Sequence, residues 1–306
     1  QRASSLIVAC DFIRNENQNE LGAIPISIGM WVGPMTPNTR KDAKKNVSEL
    51  IQQHGKAENR MIMTKCPWCS CSMGVVSMLN SENNIEKQVF GYQVDQKSVR
   101  FVCENSKCHY SSLKRPIPVY VVDEDIYEIK PSLLVGTVDK FARLAWDNSN
   151  QDSINLFRHI KKDHQDAPDL IIQDELHLIS GPLGSVVGMY ETTIQNIFSS
   201  RYENQTIYPK IIASTATVTR APEQMNQLYN KKYDSEKFIS EMVNLFPHPV
   251  LDYDDSFFGK EDIDPEKSRV YVGLNPSGYS DPKTAQVRII SSLLQGTKSL
   301  NVDEEK

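Results

Sequence analysis

The chain has 306 residues, 39% of them hydrophobic and 24% charged, with a formal net charge of −5. Such a length supports a sizeable core in one large domain or two ordinary ones, and the composition is that of an ordinary soluble globular protein. The negative sum excludes a global basic field of the kind that attracts nucleic acid, though it leaves room for local basic patches. No stretch approaches eighteen apolar residues, and the apolar run at 4–10 is too short and too poorly flanked for a signal peptide or a span, so no membrane association is expected. The sequence opens on Gln1 in mid-pattern, which reads as a piece of something longer.

Along the chain, residues 4–14 (SSLIVACDFIR) read as a helix. Residues 24–33 (IPISIGMWVG), apolar and β-branched, read as a strand ending at Gly33-Pro34. Residues 42–56 place Ala43, Val47, Leu50 and Ile51 on one face of a helix closed near Gly55. A cysteine-bearing region follows, to about residue 118.

Six cysteines without a secretory signal point to a reducing, cytoplasmic setting, and to metal rather than disulfides. Cys66-Pro67-Trp68-Cys69 is one tight pair, and Cys103 with Cys108 is a second, separated from it by 33 residues. Two such pairs suit one tetrahedral Zn²⁺, because each makes a turn that presents two thiolates to the same ion. The bland alternative is four buried free thiols. The intervening residues alternate like short strands, as in a zinc ribbon. Cys71 and His109 lie close enough to substitute for a neighbour, and Cys10 reads as a core residue.

Residues 131–146 (PSLLVGTVDKFARLAW) read as a strand, a turn at Gly136-Thr137, and a helix carrying Phe141, Leu144 and Ala145. Residues 169–177 (DLIIQDELH) read as a strand. A helix over 182–200 aligns Leu183, Val187, Tyr190, Ile194 and Ile197. Residues 209–217 (PKIIASTAT) read as a strand and 221–233 as a helix. Residues 232–268 read as loop, 268–274 (SRVYVGL) as one more strand, and 301–306 as a frayed tail. Strands alternating with helices give an α/β fold with a parallel sheet flanked by helices, its sites at the carboxyl ends of the strands.

At one such end, the apolar run Leu170-Ile171-Ile172 stops at Asp174-Glu175-Leu176-His177. Two adjacent carboxylates repel unless a cation lies between them and a substrate. Mg²⁺ on a nucleotide phosphate fits, since it takes one or two carboxylates and fills its other positions with water and phosphate oxygens. One acid then holds the metal's shell while the other orients and deprotonates water. A second strand ends in Ser214-Thr215-Ala216-Thr217.

Asp174-Glu175-Leu176-His177 and Ser214-Thr215-Ala216-Thr217 resemble motifs II and III of the superfamily 2 helicases, and the stretch with Thr137, Asp139 and Lys140 stands where that family has motif Ib. With the CPxC insertion, GTVDKFA, IIQDELHLISGPLGSVVGMYE, IIASTATVTRAPEQ and RVYVGLNPSG, nearly the whole chain is similar to the large helicase subunit of the DISARM anti-phage system and its relatives. The resemblance implies a RecA-like sheet and an ATP- and Mg²⁺-dependent motor. Its track would be DNA, with RNA left open, and its partners other subunits of a defence system. It assigns Mg²⁺ binding to Asp174, the general base to Glu175, and a link toward motif III or a second motor domain to His177. Ser214, Thr215 and Thr217 would couple hydrolysis to movement, and Thr137 and Lys140 would touch the phosphates of the tracked strand. Each has a plainer reading: a surface histidine, a helix-capping serine, a solvated first-turn lysine. Trp31 and Trp68 are candidates for stacking on bases, with core packing as the alternative.

The chain departs from that family in one respect. No GxxxxGK[ST] occurs in it, and Gly181-Pro182-Leu183-Gly184 lacks the lysine that such a phosphate loop needs. Arginine fingers are not identifiable either. The reading that follows is an internal piece of a motor: residues 1–58 as its first part, 59–118 as a zinc-ribbon-like insertion projecting as a lobe, 119–231 as the remainder with motifs Ib, II and III, and 232–306 as a linker and the start of a second domain. The competing reading is a non-catalytic, zinc-stabilised nucleic-acid-binding or scaffold protein on a degenerate motor fold.

Overall fold

The computed structural model describes residues 1–79, 85–111, 115–146, 156–157, 159–161, 164–166, 168–179, 181–202, 205–215, 221–229, 244–246, 255–257, 259–260, 271–273 and 281–299. The chain divides into two compact units, Gln1–Asn244 and Leu245–Lys306. It is a mixed α/β protein in which helices accompany a small parallel sheet.

In the first unit, the strand Ile28–Trp31 lies between Val119–Tyr120 and Leu133–Gly136, both parallel to it, with Ile28 opposite Val119 on one side and Leu133 on the other. A central parallel strand is covered on both faces, which is why this one reads as an unbroken apolar run. Trp31 closes it at 1% exposure, with Tyr127 and Phe141 edge-on to its ring, so Trp31 is a core residue and not a base-stacking platform. A second parallel pair joins Leu170–Gln173 to Lys210–Ala213, in register from Leu170 opposite Lys210 to Gln173 opposite Ala213. Among the described residues no ladder connects this pair to the three-stranded sheet.

The helix Arg40–Gln52 shows why the local sequence folds as it does. Thr39 caps it by accepting the Asp42 N–H at 3.1 Å, while its hydroxyl donates to the Asp42 carboxylate at 2.7 Å. At the other end the Gly55 N–H reaches the Leu50 carbonyl and the His54 N–H reaches that of Ile51, a Schellman closure. Gly55 has φ +71°, and a Cβ there would come within 2.4 Å of Val75 Cγ1, so glycine is required on both counts. Ala43, Val47 and Leu50 are fully buried, but Ile51 is 55% exposed, one residue off the inward stripe.

Between the cysteine pairs lie two antiparallel hairpins, Gly74–Leu79 with Ile85–Phe90 and Tyr92–Val94 with Val99–Phe101. This region is not a detached lobe. Cys66, Cys103 and Cys108 belong to one core cluster with Val8, Ala43 and Val47 from the two helices before them and Val119 from the sheet. Tyr110 donates its hydroxyl to the Val8 carbonyl at 2.9 Å. The segment is too small to bury its own apolar side chains and borrows partners from the rest of the unit. A second cluster gathers Trp31, Leu144, Leu176, Val187, Tyr190 and Ile194, which draws the three-stranded sheet, the 170–173 strand and the helix Gly181–Ile197 onto common ground. Leu183 stays 45% exposed in that helix's first turn.

Several elements escape the expectations from sequence. The short helix Asp123–Ile129 opens on three acids, which suit the positive end of a helix. Small hairpins occupy His159–Lys161 with His164–Asp166 and Ser200–Tyr202 with Gln205–Ile207. In the second unit the helix Pro282–Ser299 carries Val287, Ile290 and Leu294 at helical spacing, all exposed. Residues 271–273 form no strand, and the rest of the expected 268–274 strand, the tail 301–306, Ala216 and Thr217 lie outside the described residues. No helix among the described residues is long and apolar enough to cross a membrane.

Candidate functional site

Two groupings of side chains carry chemistry. The first lies at the carboxyl ends of the parallel pair Leu170–Gln173 and Lys210–Ala213. Register brings their polar tips together, because the Ser214 N–H donates to the Gln173 carbonyl at 2.8 Å and the Leu176 N–H to the Ser214 carbonyl at 2.9 Å. The Ser214 hydroxyl donates to Asp174 Oδ1, and the Glu175 N–H donates to the same oxygen at 2.9 Å. Asp174 Oδ2 has no protein partner among the described residues. The Ser214 hydroxyl, and after it the Glu175 amide, hold the Asp174 carboxyl below the usual aspartate range.

His177 Nδ1 stands 3.4 Å from Thr215 Oγ1 and 3.3 Å from Glu175 Oε2. All of this faces solvent, as sites at strand ends do. Glu175 adopts a left-handed backbone at φ +53°, a conformation that costs a non-glycine residue energy and turns the chain sharply from strand into the 3₁₀ turn Leu176–Leu178. Leu176, at 1% exposure, anchors that turn in the core, so its polar neighbours point outward.

Of the other residues expected here, Thr137 is exposed at the end of Leu133–Gly136. Lys140 is not where a contact to nucleic acid requires it. It is 4% exposed, its ammonium is paired with Asp123, and it lies 5.3 Å from the Trp31 ring centroid. Burial pushes the Asp123 carboxyl upward, opposed by the bond from Lys140. In the first turn of the helix Val138–Trp146 the lysine is therefore a buried counter-ion.

The second grouping is the thiol cluster. The sulfurs of Cys66, Cys69, Cys103 and Cys108 all lie within 4.8 Å of one another. Cys66 Sγ is 3.9 Å from Cys108 Sγ, and Cys69 Sγ is 3.5 Å from Cys103 Sγ. Four sulfurs tetrahedrally placed about 2.3 Å from one zinc would be about 3.8 Å apart, so the spacing fits such an ion. Backbone N–H groups of Trp68 and Cys69 aim at Cys66 Sγ, that of Cys71 at Cys69 Sγ, and that of Asn105 at Cys103 Sγ, the donors that thiolates need once a metal has taken their protons. Without an ion, burial pushes the Cys66 thiol up to about 11 and raises Cys103 as well. Burial also acts upward on Cys69 but is outweighed by the Cys71 amide and the neighbouring thiols, which leave it lowered. The cluster can bind a metal ion such as zinc. Cys71 contributes only backbone, its carbonyl accepting the Cys66 N–H at 2.8 Å. Trp68 is 38% exposed, its ring 4.8 Å from that of Phe12.

One polar contact beside the strand-end site gave no signal in the sequence. Gln224, on the helix Ala221–Tyr229, donates Nε2 to the Ile179 carbonyl at 2.9 Å and approaches that of Leu176 at 3.5 Å. A glutamine in a helix looks solvated, and only tertiary closeness across 45 residues reveals it.

Among known proteins, the sequence places the chain in a class, the proteins of the DISARM system. No family model matches the chain. It is, however, 34% identical over 337 aligned residues to the DISARM protein DrmA of Bacillus paralicheniformis, an alignment that takes in 99% of this chain. The chain belongs to the DrmA family of DISARM proteins. It spans 28% of the length of that relative.

Proposed function

We propose that the chain forms part of an ATP-driven DNA helicase or translocase of anti-phage defence, working in the cytoplasm with other subunits of its system. In this reading residues 1–58 and 119–231 form a RecA-like motor domain around the zinc-bearing 59–118, and 232–306 begins the next. The observation that carries the reading is the pairing of Asp174 with Ser214 and of His177 with Thr215 at adjacent parallel strand tips. Asp174 offers Oδ2 and a carboxyl that ionises readily, which suits the water shell of Mg²⁺. The ion, when bound with the nucleotide, neutralises charge on the phosphates.

The chain's own groups supply the rest. Glu175 accepts the proton of the attacking water from an exposed position next to Asp174. His177 touches both Glu175 and Thr215, so a change at the acid can be passed to the strand bearing Ser214 and Thr215. Thr137, exposed at the end of the strand Leu133–Gly136, is the remaining contact for a nucleic-acid phosphate, and Thr217 extends the coupling segment. The phosphate loop, which this sequence lacks, is supplied in this reading by another segment of the full-length protein. Zn²⁺ held by Cys66, Cys69, Cys103 and Cys108 supports the fold rather than the chemistry.

The test is Glu175→Gln in the full-length protein, which keeps size and hydrogen bonding but removes the base. ATP is expected to bind as before while DNA-stimulated hydrolysis falls by at least about a hundredfold, at the lower end of what a positioned general base contributes. Hydrolysis within about twofold of the parent protein would reject the motor reading in favour of a zinc-stabilised scaffold.

A further inference from the structure

We infer that Gln224 is a positioning residue for the Asp174–His177 turn, a role that rests on the function proposed above. The turn is fastened from two sides. On one side lie backbone bonds, the Leu176 N–H to the Ser214 carbonyl at 2.9 Å and the Ser214 N–H to the Gln173 carbonyl at 2.8 Å. On the other side, among the described residues, lies Gln224, whose Nε2 donates to Ile179 O at 2.9 Å with a longer approach to Leu176 O at 3.5 Å. Those two carbonyls bracket His177 and Leu178. Leu176 O already accepts the Ile179 N–H at 2.9 Å, which closes the turn, so Gln224 clasps the closure itself.

The chain needs such a clasp here. Glu175 holds a left-handed backbone, which persists in a non-glycine residue only when its surroundings fix it. Two acceptors converge on one side-chain nitrogen, so only the carboxamide orientation that presents its NH₂ group is compatible with the site. A carboxylate in its place would set negative oxygen against two carbonyls. Gln224 is anchored in turn, because its helix docks on Gly181–Ile197 through the bond from Gln195 Nε2 to the Tyr229 carbonyl at 2.7 Å. The helix Ala221–Tyr229 follows the strand that ends in Ser214-Thr215. Gln224 thus gives the segment after the coupling strand a direct hold on the turn that carries the proposed base. It sets where Glu175 points.

The experiment uses the full-length protein with Gln224→Met, which keeps length and removes both donors, and with Gln227→Met, at an exposed position on the same helix, as control. ATP hydrolysis and amide hydrogen exchange over 174–179 are read together. For Gln224→Met the expected result is a tenfold or greater fall in kcat with KM for ATP within twofold, and exchange at Leu176, Leu178 and Ile179 faster by about tenfold. Gln227→Met should change neither. Unaltered exchange in a folded Gln224→Met protein, or a loss confined to KM, would overturn the inference. Gln224→Glu is the second variant. If it and Gln224→Met both fail to fold, Gln224 serves global stability and the inference is wrong. The exchange readout does not depend on the chemistry, so it reports on the clasp even if Glu175→Gln shows that the motor reading has failed.

Discussion

Lys140→Met tests the structure most sharply, because the exposed and the buried lysine predict effects of different size. A solvated lysine can be replaced at a cost within about 0.5 kcal/mol. Here the side chains of Lys140 and Asp123 are 5% and 6% exposed, Lys140 meets Asp123 Oδ2, and among the described residues Oδ1 has no hydrogen-bond partner. Removing the ammonium leaves a buried carboxylate with nothing to offset its lost hydration. Breaking a buried pair in this way costs about 3–5 kcal/mol, a large share of the roughly 5–15 kcal/mol that holds a typical domain folded. In a unit of this size that corresponds to a fall in Tm of about 6–20 °C. The assay is thermal and urea unfolding of Lys140→Met, Asp123→Asn and the double variant. The double variant should lose clearly less than the sum of the singles, since each single strands the other's charge or dipole. A loss below about 0.5 kcal/mol for Lys140→Met, or strict additivity, would refute the buried-pair reading and return Lys140 to the surface as a candidate phosphate contact.

Two further predictions follow from other buried groups. Glu191 is 8% exposed, and burial pushes its carboxyl up to about 7, only partly offset by the bond to Gln195; because the folded pKa lies above the unfolded one, stability should be greatest below about pH 4.5 as far as this group is concerned and fall by about 3 kcal/mol as pH rises through 7. Glu191→Gln should therefore raise Tm at pH 8 and flatten the slope between pH 5 and 8, and an unchanged slope in unfolding measurements would exclude Glu191 as its source. Chelation of the purified protein should release about one zinc per chain and, because Cys66, Cys103 and Cys108 share a core with Ala43 and Val47, should speed hydrogen exchange in the helix Arg40–Gln52 as well as in the cysteine region, while Leu170–Gln173 keeps its protection. Exchange confined to 59–118 would restore the detached lobe.

What the sequence made legible was whatever depends on spacing within a short window. The helix Arg40–Gln52 announced itself by Ala43, Val47 and Leu50 and by its glycine closure. The strands Ile28–Trp31, Leu133–Gly136, Leu170–Gln173 and Lys210–Ala213 announced themselves as apolar runs, the last two with polar tips. The thiol cluster followed from ligand spacing alone, because a CxxC turn presents both sulfurs on one side whatever surrounds it. The rest depended on long-range contact. Nothing near Lys140 indicates that a carboxylate seventeen residues earlier, on an unmarked two-turn helix, will bury it. Nor does the cysteine region show that its buried faces will be completed by Val8 and Val47, since periodicity tells which side is apolar but not what covers it.

Two acids near parallel strand ends make the electrostatic logic of the site explicit. Asp123 follows the strand Val119–Tyr120, and it is buried and met by an ammonium. Asp174 follows Leu170–Gln173, and it is exposed and, among the described residues, met only by a hydroxyl and an amide. The difference decides what each can do. An ammonium cancels the charge it binds, so Asp123 has none left for an external cation, and its burial even favours the neutral acid. A hydroxyl and an amide stabilise negative charge without cancelling it, so Asp174 ionises more readily and still carries its full charge at neutral pH. Ser214 also pins Oδ1 and leaves Oδ2 outward, which fixes the direction of that charge. Of these two acids, then, only the one at the tip of Leu170–Gln173 is arranged to attract a divalent cation. The next carboxylate, Glu175, meets a different group, its Oε2 standing 3.3 Å from His177 Nδ1.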